Sequence, residues 1–159
     1  MEHVRPATRD DLAVVQALLD AAWDEAAGAR GAALYREAGP SAGTGHTPPT
    51  RAEDHLAPWA PGDRPAMTLL GLYEEAVVGL AAACGEPGGL GQLLGCWVEP
   101  EARGVGVGTA LVTGLVGWLE GQGCRGIDAA ALPGDRSTKQ LLEAAGFSAR
   151  LLVLHRPPG

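Results

Sequence analysis

The first apolar pattern along the chain has a helical period. Five apolar residues recur three or four positions apart and share one helical face: Leu12, Val15, Leu19, Ala22 and Trp23. This spacing predicts a helix over about 10–26. Thr8 and Asp11 form a Thr-x-x-Asp capping signal at its start, and Val4–Ala7 before it reads as a short strand.

Three apolar runs in the middle of the chain predict β-strands. Ala66–Tyr73 and Ala76–Ala83 are separated only by Glu74 and Glu75, which predicts an antiparallel hairpin. Leu90–Val98 is apolar on both alternating registers. That pattern is typical of a strand that is covered on both faces.

The remaining pattern alternates between helix and strand. It predicts a helix over about 106–120, a strand at Gly126–Ala131, and a helix that Asp135 caps and Gly146 ends, followed by a last strand at Phe147–His155. Hairpins first and β-α-β-α-β later predict an α/β (α+β) fold. We expect a mixed, mostly antiparallel central sheet of six to seven strands, flanked by helices on both faces.

Length and composition predict one globular domain over 1–159, since the chain has 159 residues of which 46% are hydrophobic. Residues 28–65 differ in kind because they are rich in Gly and Pro. Within them, Ala32–Ala38 and Arg51–Leu56 have helical potential. A connection this long in a compact domain is usually functional or mobile.

A formal serine-hydrolase motif lies in this region. Gly39–Gly43 matches G-x-S-x-G, but the nucleophile elbow needs a buried strand before the serine and a helix after it. The flanking residues predict neither. The hydrolase interpretation therefore fails on context.

Charge and apolar content narrow the partners. The net charge of −7, from 12 basic and 19 acidic residues, argues against nucleic acid and suits a cationic ligand. The first residues lack an apolar signal-peptide core, and no apolar stretch is long enough to span a bilayer. We expect no membrane partner and a cytoplasmic location. The apolar content is compatible with a homodimer as well as with a monomer.

Cysteine and histidine spacing argues against disulfides and metal. Three cysteines (Cys84, Cys96 and Cys124) are far apart, and the four histidines form no ligand-spaced pair. Cys96 lies on a predicted strand, and its thiol could serve as a nucleophile. The favoured interpretation is a small buried apolar residue.

A glycine-rich turn organises the chemistry. It joins the Leu90–Val98 strand to the following helix and carries Gly104, Gly106 and Gly108. A strand, glycine turn and helix present several backbone N–H groups at a helix N-terminus, which binds anions such as phosphate. The turn departs from the dinucleotide fingerprint because Thr109 stands at its last glycine, and from the P-loop because no lysine precedes Thr109.

The stretch Val98–Leu111 resembles the acetyl-CoA signature of the GNAT superfamily of N-acetyltransferases. Arg103, Gly106 and Gly108 match Arg/Gln-x-x-Gly-x-Gly/Ala, and Val98 and Pro100 match the preceding Val-x-Pro. The resemblance implies acetyl-CoA as co-substrate. It also implies that the strand splays from its neighbour at a bulge.

The resemblance assigns cofactor-binding residues. Backbone groups of Trp97 and Val98 would pair with the pantetheine arm. Seven amides would hold the pyrophosphate: those of Arg103, Gly104, Val105, Gly106, Val107, Gly108 and Thr109.

Two side chains that such proteins often use for proton transfer are missing. Leu142 stands where a tyrosine commonly protonates the leaving thiolate, and Gln92 where a glutamate can act as base. The catalytic residues are therefore unassigned. A base from Glu53, Asp54 or His55, a water-mediated path, or an acceptor of low pKa would each suffice.

The resemblance thus implies an acetyl-CoA-dependent N-acetyltransferase. It implies that a primary amine of a small molecule or peptide attacks the thioester directly, and that residues 28–65 shape the acceptor pocket. The alternative is a CoA-binding regulatory or partner module with little or no catalysis.

Overall fold

The computed structural model describes residues 1–38, 49–56 and 64–159. The elements in those ranges are β1 (Glu2–Pro6), α1 (Leu12–Ala26), α2 (Ala32–Ala38), α3 (Ala52–Leu56), β2 (Ala66–Tyr73), β3 (Ala76–Gly85), β4 (Leu90–Val98), α4 (Val107–Gly121), β5 (Gly126–Ala129) and α5 (Arg136–Ala144). Short 3₁₀ turns lie at Arg9–Asp11 and Pro100–Ala102. In the described ranges no helix is both long and apolar enough to cross a membrane.

The strands form one mixed sheet in the order β1-β2-β3-β4-β5. The first four are antiparallel to their neighbours, and β5 is parallel to β4. Helices lie on both faces, as the sequence predicts. The α+β architecture is confirmed.

The predicted strand count is wrong, because the sheet formed by the described residues has five strands rather than six to seven. Phe147–His155 forms no strand within the described structure. Arg150 binds Asp128 of β5 through its side chain, but no backbone hydrogen bond of the described residues joins 148–155 to β5. An apolar run becomes a strand only where a neighbour accepts its backbone hydrogen bonds.

One face of the sheet, here the α4 face, holds the larger core. Its buried residues are Leu69, Ala81, Ala83, Leu93, Val98, Val107, Leu111, Val112, Leu115, Leu119 and Leu142. Gly71 lets α4 approach closely, since a Cβ there would lie 2.5 Å from Val107 Cγ1. Val107 is the first residue of α4. The close approach therefore fixes the start of the helix over the end of the sheet.

The other face, here the α1 face, is covered by α1 and α3. Its smaller core comprises Val15, Leu18, Leu19, Ala52, Leu70, Leu72 and Leu80. The predicted capping signal is present: Asp11 accepts a hydrogen bond from the Thr8 amide at 2.8 Å. Asp11 also pairs with both terminal nitrogens of Arg5, at 2.8 and 2.9 Å. This buried carboxylate therefore ties β1 to the start of α1.

Residues 28–65 are described only in part. The predicted helix at Ala32–Ala38 and the helical turn within Arg51–Leu56 are confirmed. The G-x-S-x-G match at Gly39–Gly43 lies outside the described residues. In the described parts of the chain, no three His, Cys, Asp or Glu side chains converge as a metal site.

Candidate active site at the end of the fourth strand

The fourth strand separates from the fifth halfway along its length. Pairing between β4 and β5 runs from Leu90–Gly126 to Leu93–Ala129 and stops there. At the same point the register of β4 against β3 shifts by one residue, since Ala82 lies opposite Gly95 and the next pair is Ala83 with Leu93. The bulge residue is Leu94. The predicted splay at a bulge is therefore present, and residues 94–97 do not pair with β5, whereas the Val98 carbonyl accepts a hydrogen bond from Arg103.

Among the residues that the structure describes, none covers the surface above Gly95 of this bulge. Gly95 is exposed, and a Cβ built on it meets no described atom within 4 Å. Because residues 94–97 do not pair with β5, they offer an extended backbone edge. An extended chain with alternating donors and acceptors, such as two consecutive amides, can pair with such an edge.

The chain leaves β4 through a glycine turn into α4. Gly104 and Gly106 have φ of 83° and 95°, a region that a side chain makes costly. Gly106 is the residue that precedes the first turn of α4. The two left-handed residues let the chain reverse just before the helix begins.

The turn presents a row of unused backbone donors. Among the described residues, the amides of residues 104–109 donate to no carbonyl or side chain, and the first turn-to-helix bond is from Ala110 to Gly106 at 2.9 Å. Gly104, Val105 and Gly106 are exposed to solvent. Unpaired amides at a helix N-terminus form an anion site, which the helix dipole strengthens. The residues present therefore fit a phosphate group.

Arg103 contributes differently from the amides that follow it. Its own amide donates to the Pro100 carbonyl at 3.3 Å, so six of the seven predicted amides have no acceptor among the described residues. Its Nε donates to the Val98 carbonyl at 2.9 Å, and a terminal nitrogen lies 2.6 Å from Glu25. The guanidinium also lies over the Trp97 ring, 5.8 Å from its centroid.

Glu25 is a site residue that the sequence analysis missed. Its carboxylate accepts hydrogen bonds from Arg103 and from the Trp97 indole, the latter at 2.8 Å. The Arg103 guanidinium holds the pKa of the Glu25 carboxyl below its usual range. Seventy-two residues separate Glu25 from Trp97. No sequence pattern signals that pairing, because Glu25 is one of several polar residues near the end of α1.

The predicted cofactor residues lie together around the start of α4. Val98 and Val107 are buried beneath the turn, whereas Thr109 is exposed beside it. Gly108 faces α5, since a Cβ there would lie 3.4 Å from Leu141 Cδ2. The turn therefore lies between the end of β4 and the flank of α5.

The structure agrees with the sequence that the usual tyrosine acid is missing at position 142. Leu142, at the position of the usual tyrosine, is buried in the core of the α4 face. Asp135 caps α5 by accepting from the Thr138 amide at 3.1 Å. A leucine has no proton to donate, and Asp135 is engaged as the cap of α5.

Of the three candidate bases, His55 stands apart. Glu53 pairs with Arg51 on the surface, and Asp54 is exposed. His55 Nε2 lies 3.0 Å from the Pro49 carbonyl and therefore carries the proton, while Nδ1 lies 3.4 Å from the Thr68 hydroxyl. Burial lowers the pKa of His55, so the neutral, basic form prevails near pH 7.

Cys96 is poorly suited to nucleophilic attack. Its side chain packs against the core of the α4 face. Burial raises the pKa of the Cys96 thiol to about 12. Since only the thiolate is strongly nucleophilic, this pKa agrees with the interpretation of Cys96 as a packing residue.

Comparison with protein-family models shows to which family the chain belongs. The model of the Acetyltransferase (GNAT) family matches residues 31–147. The chain belongs to the GNAT family. The matched segment contains β4, the glycine turn and α4, whereas Glu25 precedes it. No curated protein is similar enough in sequence to match.

Solved GNAT structures share the fold. The aminoglycoside N-acetyltransferase AAC(6')-Iy, in complex with a CoA-S-monomethyl-acetylneamine bisubstrate analogue, superposes with a TM-score of 0.69 at 17% identity, covering 100% of this chain and 99% of that one. A ribosomal-protein-alanine N-acetyltransferase from Brucella melitensis biovar Abortus 2308 gives a TM-score of 0.68 at 20% identity, with full coverage of both chains. At these identities the likeness concerns the fold.

Proposed function

We propose that this GNAT protein transfers an acetyl group from acetyl-CoA to a primary amine of a small molecule or peptide. One observation carries the proposal: six unused amides at the start of α4 adjoin an unpaired edge of β4. The first feature suits a pyrophosphate and the second suits the amide-bearing pantetheine arm. The relatives named above, which include an aminoglycoside and a ribosomal-protein acetyltransferase, support the same class of reaction.

The chemistry is direct attack. The amine nitrogen bonds to the thioester carbonyl carbon, the carbon–sulfur bond breaks, and the amine proton leaves as CoA departs as the thiol. This chain supplies binding and orientation through the turn. A backbone N–H on the open edge of β4 would polarise the thioester carbonyl, where negative charge develops in the transition state.

We place the acceptor on the α1 face of the bulge. Glu25, Gln92 and His55 belong to elements that cover or line this face, whereas the opposite face is filled by the apolar core beneath α4. A carboxylate beside the entry suits a cationic amine, as does the overall charge of −7.

His55 is the proposed proton acceptor among the three candidates. Thr68, which contacts it, lies opposite Ala82, and Ala82 lies opposite Gly95 of the bulge. Two strand spacings amount to about 10 Å, a distance that a water chain bridges. An alkylamine of pKa about 10 is neutral in roughly one molecule per thousand at pH 7, so deprotonation costs about 4 kcal/mol. A general base that removes this proton would therefore raise the rate substantially.

A binding module without catalysis is the second candidate. The observation that favours it is the buried leucine at position 142, which supplies no acid at the position of the usual tyrosine. Such a module would bind acetyl-CoA in the same turn but would release no thiol in response to an amine.

A thiol-release assay over a panel of amines tests the proposal. We expect amine-dependent release of CoA that Gly106→Val strongly reduces at acetyl-CoA concentrations below the raised Kd. Binding of acetyl-CoA by calorimetry without release for any amine would favour the binding module, and absence of both would contradict the proposal.

A pH series on the best amine tests the base. With His55 as base, kcat/KM for an alkylamine reaches a plateau near neutral pH, and His55→Gln removes the plateau. A tenfold rise per pH unit well beyond pH 8 in the unmodified protein would contradict a role for His55 and favour a base-free path.

A further inference from the structure

Residues 49–56, here the docking segment, carry His55 and contain only one short helix. This helix, α3, has five residues, Ala52–Leu56. A helix of that length is not stable in water by itself, because one turn of hydrogen bonds does not offset the cost of nucleation. Contacts with the rest of the molecule therefore hold the docking segment, and they decide where His55 lies.

Gln16 of α1 contacts the backbone of the docking segment with both ends of its side-chain amide. Its Oε1 accepts a hydrogen bond from the Ala52 amide at 2.9 Å, and its Nε2 donates to the Thr50 carbonyl at 3.3 Å. Ala52 is the first residue of α3, and the amide at that position has no acceptor within a helix. The half-buried Gln16 side chain thus pairs with two backbone groups, as the peptide group of a neighbouring strand would.

Asp20 fixes the orientation of the Gln16 amide. It lies one helical turn after Gln16, and its Oδ1 accepts a hydrogen bond from Gln16 Nε2 at 2.9 Å. Since an ionised carboxylate only accepts hydrogen bonds, the nitrogen must face Asp20 and the oxygen must face the Ala52 amide. The reversed amide would place its oxygen against two other acceptors. All three contacts therefore agree on one orientation.

The other side of the docking segment contacts the sheet more weakly. Ala52 is buried in the core of the α1 face. The Thr68 hydroxyl lies 3.4 Å from both the His55 carbonyl and His55 Nδ1, close to the upper limit for a hydrogen bond. In the part of the chain that the structure describes, Gln16 is the one side chain of α1 that hydrogen-bonds to this segment. The Gln16 contacts are therefore the main polar link between α1 and the segment.

We propose that Gln16 is a positioning residue, whose amide docks residues 49–56 on α1 and thereby holds His55 in place to accept the amine proton. This inference rests on the proposed function, in which His55 is the base. Gln16 acts through the segment and touches no reacting atom. A displacement of about 1 Å in a catalytic group can lower a rate about a hundredfold. The effect should therefore fall on the rate and spare acetyl-CoA binding, to which other elements contribute.

Gln16→Met tests the docking itself, because methionine keeps the length of the side chain and removes both hydrogen bonds. We expect amide hydrogen exchange over residues 50–56 to accelerate at least about tenfold. Burial is the largest influence on the pKa of His55 and lowers it, whereas the Pro49 carbonyl and Asp54 act in the opposite direction. Release of the segment should therefore raise this pKa toward about 6.5 in an NMR titration of the imidazole.

Two further variants make that titration specific. His55→Gln identifies the resonance of His55 among those of the four histidines. Val112→Ala changes a buried residue of α4 on the opposite face of the sheet and serves as a control for general loss of stability. It should leave both the His55 titration and the exchange of residues 50–56 unchanged.

A double-variant cycle tests whether Gln16 acts through His55. With the best amine, Gln16→Met should lower kcat/KM at least about tenfold and remove its plateau near neutral pH, while the Kd for acetyl-CoA stays unchanged. Gln16→Met combined with His55→Gln should be no slower than His55→Gln alone, since a positioning residue has nothing left to position. Multiplicative losses in the combined variant would contradict the proposal.

The titration and the exchange data separate this proposal from the proposed function. An unchanged His55 pKa and unchanged exchange over residues 50–56 in folded Gln16→Met would overturn the docking role of Gln16, whatever the activity. Absence of turnover on every amine would contradict the proposed function instead, and the two NMR measurements would still decide whether Gln16 holds His55. Circular dichroism checks that each variant folds.

Discussion

The two faces of the sheet offer a ligand different groups, since the α4 face offers backbone groups and the α1 face offers side chains. The α4 face is an apolar core whose helix begins at the glycine turn, and what it offers a ligand is backbone: six unused amides and an open strand edge. The α1 face has a smaller core and carries the polar side chains to which we assign a role in the proposed reaction, including Glu25 and His55. The backbone groups of the α4 face suit a ligand of constant structure, such as a cofactor. The side chains of the α1 face suit a ligand whose structure varies between proteins, such as an acceptor.

This division explains why the two halves of the site differ in how well a sequence reveals them. A backbone cradle needs glycine at fixed spacing along one continuous stretch, which sequence inspection detects. A side-chain pocket gathers residues from distant parts of the chain, such as Glu25 and Trp97. Substitutions on each face test whether backbone groups bind the ligand on the α4 face and side chains do so on the α1 face.

The largest effect is expected at the backbone face. Gly106→Val places a β-branched side chain at φ 95°, where strain and displacement of the amides should cost about 2–3 kcal/mol of acetyl-CoA binding. Calorimetric titration should show the Kd raised at least about 30-fold. Arg103→Ala should weaken binding less, since that guanidinium is partly screened by solvent.

Gly117→Ala is the matched control for that comparison. Gly117 lies in α4 with open space around its Cβ position, so the substitution should leave binding unchanged and raise stability by about 0.5–1 kcal/mol. Equal affinity in Gly106→Val and Gly117→Ala, with both folded, would contradict the backbone cradle.

The next effect concerns how polar groups anchor the α1 face. Arg5 holds the pKa of Asp11 well below its usual range, with help from the Thr8 amide. Asp11→Asn should therefore lower the free energy of unfolding at pH 7 by about 2 kcal/mol. Because the folded-state pKa is depressed, this contribution is present above the unfolded pKa of about 3.9 and is lost as pH falls below it.

Urea denaturation at pH 7 and pH 3 measures both parts of that prediction. The gap between the native protein and Asp11→Asn should narrow at the lower pH. A gap that is the same at both values would show that the carboxylate charge contributes nothing.

A smaller effect is expected where the two faces meet. Glu25→Ala removes the acceptor of both Arg103 and Trp97. Since the ion pair is partly exposed, its loss should weaken acetyl-CoA binding by about 0.5–1 kcal/mol, or roughly two- to fivefold. Glu25→Gln keeps an acceptor and should recover part of it.

The acceptor amine separates the two roles of Glu25. If the carboxylate also attracts a cationic amine, Glu25→Gln should raise the KM for the amine while acetyl-CoA affinity stays near that of the native protein. An unchanged KM for the amine would limit Glu25 to positioning Arg103.

The smallest effect is a pH dependence near neutrality. Burial lowers the pKa of His55, so the unfolded chain binds a proton there more readily than the folded one. Stability should be complete above the unfolded pKa of about 6.5 and decline as pH falls below it. His55→Gln should flatten thermal unfolding temperatures between pH 7.5 and 5.5, and an unaltered slope would contradict this.

The sequence predicts the elements best where local pattern and tertiary structure agree. The strand, turn and helix from Leu90 to Gly121 and the α5 cap at Asp135 are local signals, and the structure has each. The segment after Phe147 shows the limit. Its apolar run predicts a strand, but pairing depends on a neighbour that composition does not reveal.

Prediction of the site is limited in the same way, because a sequence shows local spacing but not contacts between distant residues. The spacing of Arg103, Gly106 and Gly108 marks the turn, but not that the Arg103 guanidinium faces Glu25. Likewise, residue types nominate Glu53, Asp54 and His55 equally. Only contact with Pro49 and Thr68 distinguishes the histidine.

The most direct measurement of the central claim is a titration of the ¹⁵N-labelled protein with acetyl-CoA, followed by amide resonances. If the backbone of the glycine turn binds the pyrophosphate, the amides of residues 104–109 should shift most and saturate together with those of 94–98. The amides of α3 should hardly move. Saturable binding that leaves 104–109 unshifted would contradict the account.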